Sequence, residues 1–426
     1  MQDKIEFNKD FKQAFDLIEK SGDCVFVTGN AGTGKTTFLH YYITHAHKKA
    51  VVLAPTGVAA LNCGGETVHS FFHFKPDVTL SKIKKKNVSE KSIYKKVETI
   101  IIDEVSMLRC DLLDCIDKFL RVNRQKHQQS FGGVQMVFIG DLKQLPPVVK
   151  KEEYSIFNSI YKYKSPYFLS AHSLQDCVLH KVELKKVYRQ QDANFVTLLN
   201  RVRNGTARDE DLLKLNSRVC KKILDNKMSV YLTTTNKKAT LINNRYLSQI
   251  KAEHLIFSAQ TENIDENSKI LPAERDLIIK KGAQVMMLNN DTKYRWINGS
   301  VGIVEDICNS SSSDKMLIYV KFPNGRTEAV EPYKWELFKY KWNQKQEQIE
   351  TESAGFFSQY PLKLSWAVTI HKSQGKTFDN VVIDMEYGAF APGQLYVALS
   401  RCKSLDGISL VRPLTKRDVI VPPVNF

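Results

Sequence analysis

The sequence predicts an α/β fold, with parallel sheets covered by helices on both faces, and three observations carry that prediction. Short apolar runs of strand type recur at 24–28 (CVFVT), 50–54 (AVVLA), 98–102 (ETIII), 134–140 (VQMVFIG) and 379–384 (DNVVID), with helix-like stretches between them. Near-continuous apolar strands alternating with helices mark sheets buried on both faces. The first run leads straight into a glycine-rich turn and an apolar helix, the join that parallel nucleotide-binding sheets use. Residues 282–322 break the alternation, because GAQVMML, SVGIVEDI and MLIYVKF read as strands separated by Asn298-Gly299 and by serines 310–313. They predict a small antiparallel barrel inside the second half, after which βα-type pattern resumes with Leu362 to Ile370.

A chain of 426 residues has length for two to four domains at ~150 residues each, which excludes a single small binding module. Its 62 Lys and Arg against 46 Asp and Glu leave a formal charge of +16, which favours a polyanionic partner, nucleic acid first. No apolar run reaches the ~18 residues of a membrane span. The first residues, MQDKIEFNKDFKQAFDLIEK, carry acids and no unbroken apolar core, unlike a secretory signal or a transit peptide. The expected compartment is the cytoplasm and nucleoid of a bacterium, or the nucleus or mitochondrion of a eukaryote. Eight cysteines without a C-x-x-C pair read as reduced thiols, and His69, His73 and His371 have no clustered cysteine partners to make a metal site.

Taken in order, Phe11, Ala14, Phe15 and Ile18 lie at helical spacing in 8–20. After strand 24–28, Gly29-Asn-Ala-Gly-Thr-Gly-Lys35-Thr36 matches the phosphate-binding pattern G-x-x-x-x-G-K-[ST]. Its glycines let backbone N–H groups cradle phosphate oxygens, Lys35 reaches the β and γ phosphates of ATP, and the Thr36 hydroxyl binds Mg²⁺. Phe71, Phe72 and Phe74 then interleave with His69, Ser70 and His73 before a stretch, 82–96, rich in lysine. Such rings stack on bases, split a base pair or fill a core, and the sequence leaves these open. Strand 98–102 ends in Asp103-Glu104, where Asp103 can hold the Mg²⁺ shell and Glu104 can orient or deprotonate water; the alternative is an acid pair at a helix N-terminus. Strand 134–140 ends in Asp141 and is followed by Gln144, a polar side chain placed to sense a γ-phosphate.

The ordered series GNAGTGKT, APTGVAA, TVHSFF, IIDEVSM, GDLKQLPP, VYRQ, WAVTIHKSQGKTF and LYVALSRCKS resembles the motifs of superfamily one helicases, specifically the petite-integration-frequency (Pif) type and its RecD-like cousins. The resemblance runs from about residue 8 to 411, and Val182 to Gly205 is similar to the segment that marks the Pif type. It implies two RecA-like P-loop lobes holding ATP: a first over 1–64 and 97–180 with a small wedge insert at 65–96, and a second over 181–292 and 357–426 with an SH3-like insert at 293–356. It implies nucleotide contacts from Gly29, Ala31, Gly32, Thr33, Gly34, Lys35, Thr36 and Thr37, with Gly375 and Lys376 in a matching phosphate-side loop. Arg189 and Arg401 are implied as the arginines that reach the γ-phosphate; an ordinary ion pair is the alternative for either. The implied DNA contacts are Pro55, Thr56, Gly57, His69, Ser70, Phe72, Thr234, Asn236, Thr369, His371 and Lys372, which would bind without sequence preference. Where family members carry an adenine-recognising glutamine this chain has Phe11, and Gln13 is the nearby candidate. The implied activity is ATP-dependent 5′-to-3′ translocation on single-stranded DNA with unwinding of forked duplex or G-quadruplex DNA and RNA–DNA hybrids; translocation without strong unwinding is the nearest alternative, and a DNA-independent P-loop NTPase a more distant one.

Overall fold

The computed structural model describes residues 7–75, 77–86, 92–149, 153, 157, 162–190, 192–219, 228–263, 271–309, 316–343, 346 and 348–423. The chain divides into two compact units, the first running to Arg189 and taking in 338–353 and 422–426, the second comprising Gln190–Leu337 and Ala354–Val421.

Unit 1 is built on a six-stranded sheet of β1 (Cys24–Gly29), β2 (Ala50–Ala54), β3 (Glu66–Thr67), β4 (Thr99–Ile102), β5 (Gln135–Gly140) and β6 (Leu179–Leu184) in the order β3-β2-β4-β5-β1-β6. Every pairing in it is parallel. Because successive strand residues point to opposite faces, the apolar runs feed two cores at once. Cys24, Phe26, Ile100, Ile102, Met136 and Phe138 join one face with helix Cys110–Arg124, while Val25, Val27, Ile101, Val137 and Ile139 join the other. The second face is covered by α1 (Lys9–Lys20), α2 (Lys35–His45) and α3 (Gly57–Cys63). Helix α1 begins where the Asn8 side chain accepts from the Phe11 N–H at 2.9 Å, and it buries the stripe Phe11, Ala14, Ile18.

Two boundaries differ from the sequence expectation. The first lobe extends past residue 180, because β6 pairs with β1 residue for residue from Cys24↔Leu179 to Gly29↔Leu184. The segment 65–96 is not a free-standing insert over its described part: β3 joins the sheet, and Phe71, Phe72, Ile83 and Tyr94 lie in the sheet's own core. Residues 76 and 87–91 lie outside the described residues. Phe72 is fully buried, stacked on Phe74 at 5.3 Å and edge-on to Phe119 at 5.3 Å, so its expected contact with DNA is corrected to a core role. Truncating such a ring to alanine costs ~3–5 kcal/mol.

Unit 2 carries a four-stranded parallel sheet of β7 (Val230–Thr233), β18 (Ala367–Thr369), β19 (Val381–Asp384) and β20 (Ile408–Leu410), ordered β18-β7-β19-β20. Between β7 and β18 lies an antiparallel sheet of β11 (Gln284–Met287), β12 (Val301–Asn309), β13 (Met316–Lys321), β14 (Thr327–Val330) and β17 (Leu362–Leu364). This insert starts before residue 293 and ends after 356, since β11 pairs with both β12 and β17 to enclose Val285, Met287, Val304, Ile318, Val320 and Leu362.

Candidate active site

Both parallel sheets place their functional side chains just beyond the carboxyl ends of the strands. In unit 1 the strand order sorts those ends into two groups. Strands β4, β5, β1 and β6 end in Asp103-Glu104, Asp141, the glycine-rich turn and, a few residues on, Tyr188-Arg189, while β3 and β2 end beside His69-Ser70 and Pro55-Thr56-Gly57. The nucleotide-type and DNA-type residues of unit 1 therefore lie along one sheet edge and meet where β4 neighbours β2.

The glycine-rich turn is shaped by close approach. A Cβ on Gly29 would fall 2.6 Å from both the Leu184 carbonyl oxygen and Thr33 Oγ1, and Gly34 sits in the left-handed region at φ 84° immediately before α2. No side chain caps α2, which leaves its first N–H groups for a phosphate. Lys35 Nζ donates to the carbonyls of Gly29 at 2.7 Å and Asn30 at 2.9 Å, so its ammonium spans the turn. Burial pulls that ammonium below the ordinary lysine range; Asp141, Glu104 and Asp103 oppose the shift and the Arg189 charge adds to it. Ala31 and Thr33 are buried, the Thr33 hydroxyl donating to the Asn30 carbonyl at 2.9 Å, while Thr36 is exposed and Gly32 and Thr37 half-buried.

Asp103 is nearly buried, and burial, aided by the Glu104 charge, pushes its carboxyl up to about 7 against the pull of Lys35. Glu104 has left-handed backbone at φ 49°, a conformation that costs a non-glycine residue ~1–3 kcal/mol and persists where surroundings enforce it. Its N–H donates to Asp103 Oδ1 at 2.9 Å, which locks the two acids into one geometry. Gln144 is buried, its N–H donating to the Asp141 carbonyl at 2.9 Å. Arg189 is half-buried, and the Lys35 shift places its charge within electrostatic reach of that ammonium.

On the base side, Gln13 is exposed on α1, and the expected glutamine position, Phe11, packs edge-on to Phe38 at 5.5 Å. Tyr188 instead reaches the mouth: its N–H donates to the Gly32 carbonyl at 2.8 Å, its ring lies 3.5 Å from a Cβ built on Gly34, and its hydroxyl accepts from Asn8 Nδ2 at 3.0 Å. It is 42% exposed beside the phosphate loop, with the Lys186 ammonium over its ring at 5.3 Å from the centroid. Sequence reasoning passed over Tyr188 although it adjoins Arg189; only the β6 pairing brings it to the turn.

Among the DNA-type residues, Thr56 caps α3, His69 is half-buried with its imidazole below the usual range through burial and Arg109, and the exposed Ser70 hydroxyl donates to Glu66. In unit 2, buried Thr369 accepts from the N–H of exposed Lys372 at 3.3 Å, His371 is half-buried, Thr234 is 5% exposed, and Asn236 opens helix Asn236–Gln249 at the surface. Thr369, His371 and Lys372 follow β18, and Thr234 and Asn236 follow neighbouring β7. Lys376 is turned inward, its ammonium donating to Asn298 Oδ1 at 2.5 Å and pushed down to about 8 by burial. Gly375 beside it is exposed with φ 74°. Arg401 is 1% exposed: Nε donates to the Val397 carbonyl at 3.0 Å, Nη1 to those of Ser373 and Lys376 at 3.4 and 3.3 Å, and Nη2 to Ser400 Oγ at 2.9 Å. Arg401 and Lys376 thus both engage groups of unit 2, at or beside the loop 373–376.

Comparison with known proteins decides the family. Residues 6–212 match the PIF1-like helicase family and 364–405 the UvrD-like helicase C-terminal domain. The chain is 33% identical over 414 residues to the ATP-dependent DNA helicase Pif1 of Campylobacter jejuni, covering 91% of this chain and 89% of that protein. It belongs to the Pif1-like helicase family. Within that family it is similar to the crystal structure of Bacteroides sp Pif1 in complex with ADP-AlF4, at 37% identity and a TM-score of 0.88, covering 98% of this chain and 94% of that one. It is also similar to Bacteroides Pif1 bound to ssDNA, at 38% identity, a TM-score of 0.69, and coverage of 98% and 95%. The chain spans 58% of the length of the human ATP-dependent DNA helicase PIF1, to which it is 32% identical. The Pif1-like fold is thus that of an ATP-dependent DNA helicase, with parallel sheets of RecA type and an antiparallel insert. Among the described residues no helix is long and apolar enough to cross a membrane.

Proposed function

We propose that the chain hydrolyses ATP at the unit 1 sheet edge to move 5′ to 3′ along single-stranded DNA, separating forked duplex and G-quadruplex DNA. One observation carries the reading: Lys35, the Asp103–Glu104 pair and Arg189 lie along the same sheet edge as Pro55–Gly57 and His69–Ser70, so a change at the phosphates is felt a strand or two from the DNA-type residues. Glu104 accepts the proton of the attacking water, Lys35 and Arg189 take up charge on the transferring phosphoryl group, and Gln144 reports its presence. The Thr36 hydroxyl and the Asp103 carboxylate are the residues that would hold Mg²⁺, which would supply positive charge against the phosphates and favour the ionised Asp103. The polarity and the structured substrates rest on the family resemblance and on the relative described as unwinding forked DNA, a Pif1 structure at 37% identity. Unwinding a 5′-tailed and a 3′-tailed duplex side by side tests the proposal; strand separation is expected on the 5′-tailed substrate alone, and separation of only the 3′-tailed one would overturn it.

A further inference from the structure

The carboxyl edge of the unit 2 parallel sheet does not end with the family's DNA-type residues. In the order β18-β7-β19-β20, Thr369 to Lys372 follow the first strand and Thr234 to Asn236 the second; the next two ends bring up a loop at 386–390 and residues from Arg412 onward. This loop is tied directly to the DNA-type segment. Glu386 Oε1 accepts from Thr234 Oγ1 at 2.5 Å and Thr235 Oγ1 at 3.1 Å. It is also held from behind: the Glu386 N–H donates to Asp384 Oδ1 at 3.0 Å, its carbonyl accepts from Arg412 Nε at 2.8 Å, and buried Asp418 accepts from Arg412 Nη2 at 2.6 Å and from the Ala389 N–H at 3.2 Å. Glu386 itself is left-handed at φ 46°, a strained backbone that these bonds maintain.

From this braced loop Tyr387 stands wholly in solvent, at 105% relative exposure, with Phe390 at 62%. A braced loop that leaves two large rings in solvent is shaped for something outside the fold. Tyr387 borders an open recess of about 740 Å³ lined also by Arg412, Thr415, Lys416 and Arg417, a size that admits a nucleotide. Of the acids beside it, Glu386 is engaged by two threonine hydroxyls and Asp418 by Arg412, while Lys416 pairs with Asp209 at the surface. Exposed π faces next to cationic and hydroxyl donors, continuous with a nucleic-acid edge, select single-stranded DNA as occupant, because every base has a face to stack and every phosphate a charge to pair.

We propose that Tyr387 is a base-stacking residue that extends the single-stranded DNA track of unit 2 beyond Thr234–Asn236 onto the ends of β19 and β20. The proposal rests on the reading of this edge as a DNA surface. It is tested by equilibrium binding of oligodeoxythymidine, and of an abasic oligonucleotide of the same length, to the parent chain, Tyr387→Ala, Tyr387→Phe and Tyr387→Trp, with thermal melting of each. The parent binds oligodeoxythymidine; Tyr387→Ala weakens it about tenfold, the scale of losing one stacked base, and Phe and Trp restore it. On the abasic strand all four bind alike, and all four melt together. Unchanged oligodeoxythymidine binding by Tyr387→Ala overturns the inference while leaving the DNA reading intact, and equal weakening on the abasic strand overturns it in favour of a backbone contact. A parent chain that binds neither strand removes the DNA reading itself.

Discussion

The two parallel sheets share a strand-end architecture but differ in the acids and arginines placed there. At the unit 1 edge, Lys35 is pulled below its ordinary range, Asp103 is pushed up to about 7, and Glu104 is held in strained backbone. In unit 2, Arg401 is buried and its guanidinium donates to its own unit's carbonyls and hydroxyl, while Lys376, desolvated as Lys35 is, ends on Asn298. The contrast assigns different work to residues that a motif comparison treats as one set. Unit 1 holds shifted acids and a shifted lysine together, the pattern expected where chemistry occurs. In unit 2 the Arg401 guanidinium donates into the loop 373–376.

The contrast breaks first on Glu104 and Arg189. Glu104→Gln is expected to retain ATP binding and lose turnover by ~10²–10⁴, the range of a general base, and Arg189→Ala to lose ~10³ or more. Neither should lower the melting temperature, because both side chains are only half-buried. Steady-state hydrolysis with nucleotide binding checks both, and parental turnover in Glu104→Gln would remove the base from its assigned role.

Arg401→Ala is the counterpart in unit 2. It removes the guanidinium's hydrogen bonds to the carbonyls of Val397, Ser373 and Lys376, of which Val397 still accepts from Ser400 Oγ and Ser373 from the Lys376 N–H, at ~1.5–3 kcal/mol for each charged hydrogen bond lost. A markedly lower melting temperature is expected, along with loss of activity as the loop 373–376 relaxes. A variant that melts like the parent yet fails to hydrolyse ATP would return Arg401 to the γ-phosphate and end the contrast.

The smallest effect concerns Lys376, whose ammonium titrates near 8 in the folded chain and near its ordinary 10.5 when unfolded. Between those values the unfolded chain binds the extra proton, so stability rises with pH across that window. Lys376→Met abolishes this component. Melting temperatures of parent and variant, compared from pH 8 to about 10.5, should show the parent gaining on the variant; parallel curves would mean that Lys376 is not desolvated.

Much of unit 1 is legible in sequence because its signals are local. The phosphate turn needs glycines and a lysine at fixed spacing, and each acid follows directly on its own apolar strand, so the strand-end positions of Lys35, Asp103, Glu104 and Gln144 are expected before any fold is known. What was misread depends on contacts distant in sequence. Strand β6 alternates polar with apolar as a sheet edge does, so its membership in unit 1 shows only once β1 is beside it. Phe72 has the composition of a base-stacking cluster, yet Tyr94 and Phe119 surround it, and no local pattern separates the two fates. Arg401 is at the end of an apolar helix, and whether its guanidinium points outward or into the 373–376 loop is set by that loop's placement.

The central claim is that nucleotide chemistry and DNA contacts share one sheet edge, and steady-state ATP turnover with and without oligodeoxythymidine tests it most directly. The account predicts a rise of at least ~tenfold on adding the strand, equivalent to ~1.4 kcal/mol of barrier lowered by moving charged groups into place; equal rates in both conditions would contradict it.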